Sequence, residues 1–124
     1  MKILLVDDEK ELVSTLAERL EIRGIDADWV TSGEEALERA ETHPYDLAVL
    51  DIKIPRISGY SLKRQLQEKH PEMKFILMTG HGCGYDSETG SAETGAENFL
   101  AKPVDITTLI EKMNELLNIP GGKQ

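Results

Sequence analysis

Short apolar runs alternate with stretches of helical periodicity from one end of this chain to the other, and that alternation restricts the fold more than any other feature. Strands that follow one another through helical crossovers feed a parallel sheet, because parallel neighbours cannot be joined by a tight hairpin. Five strand-helix units are legible. The strands are expected at Ile3 to Val6, Ala27 to Val30, Leu47 to Leu50, Phe75 to Met78 and Asn98 to Ala101. The first, third and fourth are almost wholly apolar, as strands covered by helices on both faces must be, so these three should be central. A chain of 124 residues is long enough for one domain with one substantial core.

Between the strands, Leu12, Val13, Leu16, Ala17 and Leu20 form one stripe, and Gly24 follows as a helix stop. Ser32-Gly33-Glu34-Glu35 reads as a capping box opening a second helix that buries Ala36, Leu37 and Ala40. A third helix is expected from about Ser58 to Lys69 on Leu62 and Leu66. The last begins at Asp105, a suitable N-cap, and carries Ile106, Leu109, Ile110, Met113, Leu116 and Leu117 at helical spacing. The fourth crossover, Gly82 to Gly95, stands apart. Gly82, Gly84, Gly90 and Gly95 fall there with only Tyr85 and Ala92 as apolar anchors, and an interior glycine costs about 1 kcal/mol relative to alanine. A short or frayed helix is expected. Residues 1–118 read as the domain, and residues 119–124, with Pro120-Gly121-Gly122, as a tail or the start of a linker.

The net charge of −9 argues against direct nucleic-acid binding, which calls for a clustered basic surface. Any such output is expected on another polypeptide. A single cysteine, Cys83, excludes an internal disulfide. No apolar segment approaches the roughly 20 residues of a membrane span, and the chain opens on Lys2-Ile3-Leu4-Leu5-Val6 without a secretory signal, so a cytoplasmic location is expected. His43, His70 and His81 show no metal-ligand spacing.

In an open parallel sheet, reactive groups gather at the carboxyl ends of the strands. There the first strand runs into Asp7-Asp8-Glu9 and the third into Asp51. Right-handed crossovers should make these strands neighbours, bringing Asp7, Asp8 and Asp51 to one rim. Three carboxylates so close raise one another's pKa unless a cation neutralises them, and an oxygen-only ligand set suits magnesium. The fourth strand delivers Thr79 to the same rim and the fifth delivers Lys102. A carboxylate nucleophile, a divalent metal, a lysine and a hydroxyl are the parts needed to take up a phosphoryl group. Helix capping competes with a site role for Asp7 and Glu9, and plain core packing competes with any special role for Phe99.

These residues resemble the receiver domains of bacterial response regulators, from Lys2 to about Leu117. The motifs that carry the resemblance are Asp7-Asp8, Asp51 with Pro55 and Gly59 in the loop after it, Thr79-Gly80 and Lys102-Pro103. It implies a (βα)5, flavodoxin-like, doubly wound α/β fold of five parallel strands in the order 2-1-3-4-5. It also implies that Asp51 is the phosphoacceptor for a phosphohistidine on a sensor histidine kinase or histidine phosphotransfer protein. Asp8 and Asp51, with the backbone carbonyl of Lys53, would hold Mg2+, and Asp7 would act mostly through water. Lys102 would pair with the phosphoryl oxygens, and Thr79 would turn its hydroxyl toward them. Phe99 matches the aromatic switch position, and Lys53 and His81 stand where side chains tune loss of the phosphoryl group to water. The pattern further implies a cis Lys102-Pro103 bond, allows a phosphorylation-dependent dimer, and makes the protein no enzyme beyond its own phosphorylation and dephosphorylation. The glycine-rich crossover, adjoining Thr79 and Phe99, would be mobile until phosphorylation or a partner orders it.

Two rivals fail on the residues. A flavodoxin-type flavin binder needs a phosphate cradle after the first strand, where Asp7-Asp8-Glu9 would repel the phosphate. An aspartate-nucleophile phosphatase needs Asp-x-Asp on one loop, and Lys10 follows Glu9 here. A pseudo-receiver, which keeps the fold without phosphate chemistry, remains the rival that the sequence leaves open.

Overall fold

The computed structural model describes residues 2–79, 99–102 and 104–117. In chain order its elements are β1 (Lys2–Val6), α1 (Lys10–Ile22), β2 (Asp26–Val30), α2 (Gly33–Thr42), β3 (Leu47–Asp51), α3 (Gly59–Lys69), β4 (Lys74–Thr79), β5 (Phe99–Ala101) and α4 (Ile106–Leu117). The strands form one parallel sheet in the order β2-β1-β3-β4-β5, so the three apolar runs are indeed its centre. Polar residues lengthen several strands beyond their apolar runs. Lys2 pairs with Asp26, Lys74 with Leu47, and Asp51 with Met78, because the ladder uses backbone groups whatever the side chain.

Side chains alternate across the pleat, and each central strand feeds two cores. Ile3, Leu5, Val49, Ile76 and Met78 face α1 and α4, where Val13, Leu16, Leu20, Leu109 and Met113 close the layer. Leu4, Val6, Leu50 and Leu77 face α2 and α3, meeting Ala36, Ala40, Leu62 and Leu66. Leu12 and Leu37, at the margins of their stripes, are only partly buried.

The helix ends follow their local chemistry. Gly24 takes φ +82° after α1, a left-handed conformation that glycine adopts without strain. Ser32 Oγ accepts from Glu35 N–H at 3.1 Å, but the Glu35 carboxylate returns to Thr31 N–H at 3.0 Å, one residue before the reciprocal donor of a capping box. Ser58 Oγ accepts from Ser61 N–H at 3.1 Å, and Asp105 Oδ2 from Thr108 N–H at 2.9 Å. The Gly82 to Gly95 crossover, His81, Cys83, Asn98, the Lys102-Pro103 bond and the tail from residue 119 lie outside the described residues.

Gly59 fixes how α3 meets the end of β3. Its N–H donates to the Ile52 carbonyl at 2.8 Å, and a Cβ there would stand 2.5 Å from the Asp51 carbonyl oxygen and 2.8 Å from Ile52 Cα. Backbone cannot swing aside as a flexible side chain can. Gly59→Ala should therefore lower stability by about 2 kcal/mol through overpacking, read as a lower urea midpoint with an unchanged slope. A midpoint equal to that of the parent protein would contradict the contact.

Candidate functional site

Because β1 and β3 are neighbours with Val6 opposite Leu50, the next residues, Asp7 just past β1 and Asp51 at the end of β3, come to the rim side by side. Asp7 is fully buried and Asp51 nearly so, whereas Asp8 is exposed. Successive residues leaving a strand point to opposite sides, which separates two adjacent residues of identical type. Carboxylate oxygens of Asp7, Asp8 and Asp51 nevertheless lie within 4.8 Å of one another. Buried Thr79 ends β4, and its carbonyl accepts from Lys102 N–H at 2.8 Å, which brings Lys102 off β5 at the same rim.

The Lys102 ammonium is the hub of the site. Its Nζ lies 2.7 Å from Asp7 Oδ2, 3.1 Å from Asp51 Oδ2 and 3.4 Å from Glu9 Oε1, on a side chain only 12% exposed. Asp7 also accepts from Glu9 N–H at 2.9 Å through Oδ1, so it organises the loop and faces the lysine at once. Its buried Oδ2 has the ammonium as an ion-pair partner but no aligned hydrogen-bond donor among the described residues. Asp51 Oδ1 accepts from Lys53 N–H at 3.3 Å. The contact of Glu9 with Lys102 was not legible beforehand; the only hint was a third acid after the Asp7-Asp8 pair.

Phe99 lies half-buried against the core beneath α2 and α3, its ring edge-on to Tyr60 at 6.4 Å between centroids. The Lys53 side chain is exposed, and His81 lies outside the described residues. The structure thus brings Asp7, Asp8, Asp51 and Lys102 together, sets Thr79 on the adjoining strand end, and packs Phe99 against the core beneath α2 and α3.

Burial, then the charge of Asp7, pushes the Asp51 carboxyl above the ordinary aspartate range, against the pull of Lys102 and the Lys53 N–H. Burial alone would depress Lys102, yet Asp7 and Asp51 overcome it and hold the ammonium above the ordinary lysine value. Among the described residues, four carboxylates against one ammonium leave an excess of negative charge on hard oxygen donors, and this fits a divalent cation.

The raised Asp51 pKa has a sign that can be measured. The folded state binds this proton more tightly than the unfolded chain, so the contribution to stability is full below the ordinary aspartate value, about 4, and is lost as pH rises through the raised pKa. Lys102, also raised, contributes a constant amount until pH passes about 10. With chelator present, the stability gap between Asp51→Asn and the parent protein should move in favour of the variant from pH 4 to pH 7, as read from urea midpoints. A divalent cation should narrow that gap, and a gap independent of both pH and cation would refute the electrostatic account.

The family model for the response regulator receiver domain matches residues 3–114. The two-component response regulator PhoP of Pseudomonas aeruginosa is 35% identical over 122 residues, covering 98% of this chain and 54% of that protein. A CheY-like response regulator receiver domain protein from Methanospirillum hungatei superposes with a TM-score of 0.83 at 29% identity, over 99% of this chain and 98% of that one. The response regulator TrrA of Thermotoga maritima, solved in complex with Mg(2+)-BeF, gives a TM-score of 0.79 at 34% identity, covering 93% and 97%. The chain spans about half the length of the curated relatives it matches. Among the described residues no helix is long and apolar enough to cross a membrane. Since the family match runs from β1 into α4 and the five-stranded, CheY-like topology agrees with it, the chain belongs to the response regulator receiver domains of two-component systems.

Proposed function

We propose that this chain takes a phosphoryl group onto Asp51 in a magnesium-dependent reaction, from the phosphohistidine of a sensor histidine kinase or histidine phosphotransfer protein. The observation that carries this reading is the nearly buried Asp51 carboxylate, 3.1 Å from the Lys102 ammonium within the Asp7-Asp8-Asp51 cluster. A carboxylate oxygen of Asp51 attacks phosphorus while the phosphorus–nitrogen bond to the donor breaks, and its electron pair stays on the imidazole, which takes up a proton. As charge builds on the phosphoryl oxygens, Lys102 moves onto them from its resting carboxylates and the Thr79 hydroxyl turns toward them. Phe99 follows Thr79 as the conformational switch.

Asp8 and Asp51, with the Lys53 carbonyl, would hold magnesium, and Asp7 would act through water. The bound ion supplies charge neutralisation at the acceptor and the transferring group. That a solved relative carries Mg(2+)-BeF supports this assignment. Lys53 and His81 would tune hydrolysis. The protein would turn over only its own aspartyl phosphate, with residues 1–118 as the receiver and 119–124 leading toward a linker. A cytoplasmic location goes with this reading. At −9 net charge the domain would signal through protein contacts, such as a phosphorylation-dependent dimer, and bind no nucleic acid itself.

Incubation with acetyl phosphate and magnesium should add one phosphoryl group per chain by mass spectrometry, and chelator should prevent it. Asp8→Ala should raise the half-saturating magnesium concentration at least about tenfold, since loss of even an outer-shell partner costs about 10- to 100-fold. No incorporation into the parent protein would favour a binding module that keeps the fold without the chemistry.

A further inference from the structure

Glu9 occupies the N-cap position of α1, with φ −85° and ψ 93°, yet its side chain makes no capping hydrogen bond. Serine, threonine, aspartate and asparagine serve there because a short side chain reaches the second or third N–H of the helix. The longer glutamate side chain instead crosses to Lys102, Oε1 lying 3.4 Å from Nζ. The Lys102 ammonium donates to Asp51 and to Glu9 and lies 2.7 Å from Asp7 as an ion-pair partner, so three carboxylates share its charge. Asp7 and Asp51 belong to the carboxylate cluster that suits a cation; Glu9 does not, and its side chain is 62% exposed. Once a cation neutralises the cluster, Glu9 is the acceptor whose hold on Lys102 persists.

We propose that Glu9 is a positioning residue: it draws the Lys102 ammonium toward the solvent side and opposes its transfer onto an incoming phosphoryl group, an inference that rests on Asp51 being the acceptor. Glu9 thereby sets how much phosphodonor is needed to load the domain. Its removal should free Lys102 for the phosphoryl oxygens without altering the metal ligands. An exposed ion pair is a weak interaction, so the effect is a few-fold change and not loss of the reaction.

The test compares the full chain with Glu9→Gln, Glu9→Asp and Glu11→Gln in saturating magnesium, titrating acetyl phosphate and counting phosphorylated protein by mass spectrometry. Glu11 is exposed in the first turn of the same helix, so its substitution removes an equal charge nearby. Glu9→Gln should lower the half-saturating acetyl phosphate concentration about threefold, change the maximal rate less, and leave half-saturation by magnesium unaltered. Glu9→Asp keeps the charge but loses the reach, and should shift in the same direction. Glu11→Gln should stay near the parent value. Equal shifts for Glu9→Gln and Glu11→Gln would show a general charge effect and overturn the proposal. So would an unchanged Glu9→Gln, an unchanged Glu9→Asp, or a change in magnesium half-saturation. Failure of all four proteins, the parent included, to be phosphorylated would sink the acceptor reading and this inference with it.

Discussion

Asp51→Asn should incorporate no phosphoryl group from acetyl phosphate under conditions that load the parent protein, while becoming more stable than the parent at pH 7 without divalent cation. The two effects have one origin. Asparagine matches the shape of aspartate, but its neutral amide is not a competent nucleophile. The same change removes a charge that burial and Asp7 disfavour, and leaves Lys102 with Asp7 and Glu9 as partners. A substitution that acted by damaging the fold would lose both phosphorylation and stability, so opposite signs are diagnostic. Mass spectrometry and urea unfolding on one preparation settle it. Modification that survived in the variant would place the acceptor elsewhere.

Lys102→Ala should be the most damaging substitution at the rim. Asp7 and Asp51, both buried, would lose the cation that lies 2.7 and 3.1 Å from them. Removing one partner of a buried pair typically costs about 3–5 kcal/mol. Asp51 can relieve part of this by taking up a proton, so a loss of about 3 kcal/mol at pH 7 is expected with chelator present. Magnesium should restore much of it by supplying the missing positive charge. Phosphorylation should not recover in parallel: a fixed donor to the developing charge is gone, and comparable losses elsewhere cost about 100- to 1000-fold. Lys102→Arg should keep most of the stability but phosphorylate slowly, because a planar guanidinium does not place its charge where the ammonium does. Wild-type stability of Lys102→Ala in chelator would refute the counter-charge role.

Much of the architecture could be read before any coordinates. Leu47 to Leu50 and Phe75 to Met78 are continuous apolar runs because both faces of a central strand are covered, and they stand in the middle of the sheet. Ser32 and Asp105 announced their helices through capping chemistry that needs only three or four consecutive residues. Other features had no such local signature. Tyr45 donates to Asp28 at 2.7 Å across 17 residues, and burial, followed by that bond, holds its hydroxyl above the ordinary tyrosine value. Gly59 was visible as a glycine, but its reason, a backbone packed against the Asp51 carbonyl, was not.

By itself, then, the chain of residues determined the strand-helix order, the apolar faces and the rim where Asp7, Asp8, Asp51, Thr79 and Lys102 collect. Each of these follows from periodicity along the chain or from the handedness of its crossovers. Only the tertiary structure decided that Asp7 is buried and Asp8 exposed, that Lys102 rests on Asp7, Asp51 and Glu9 together, and that Glu9 reaches across the rim without capping its helix. Those outcomes depend on distance and burial among groups 51 and 93 residues apart, where a change of an ångström or of local dielectric alters which charges are held and how strongly. No repeat in the sequence encodes such distances; they exist once the strands lie side by side.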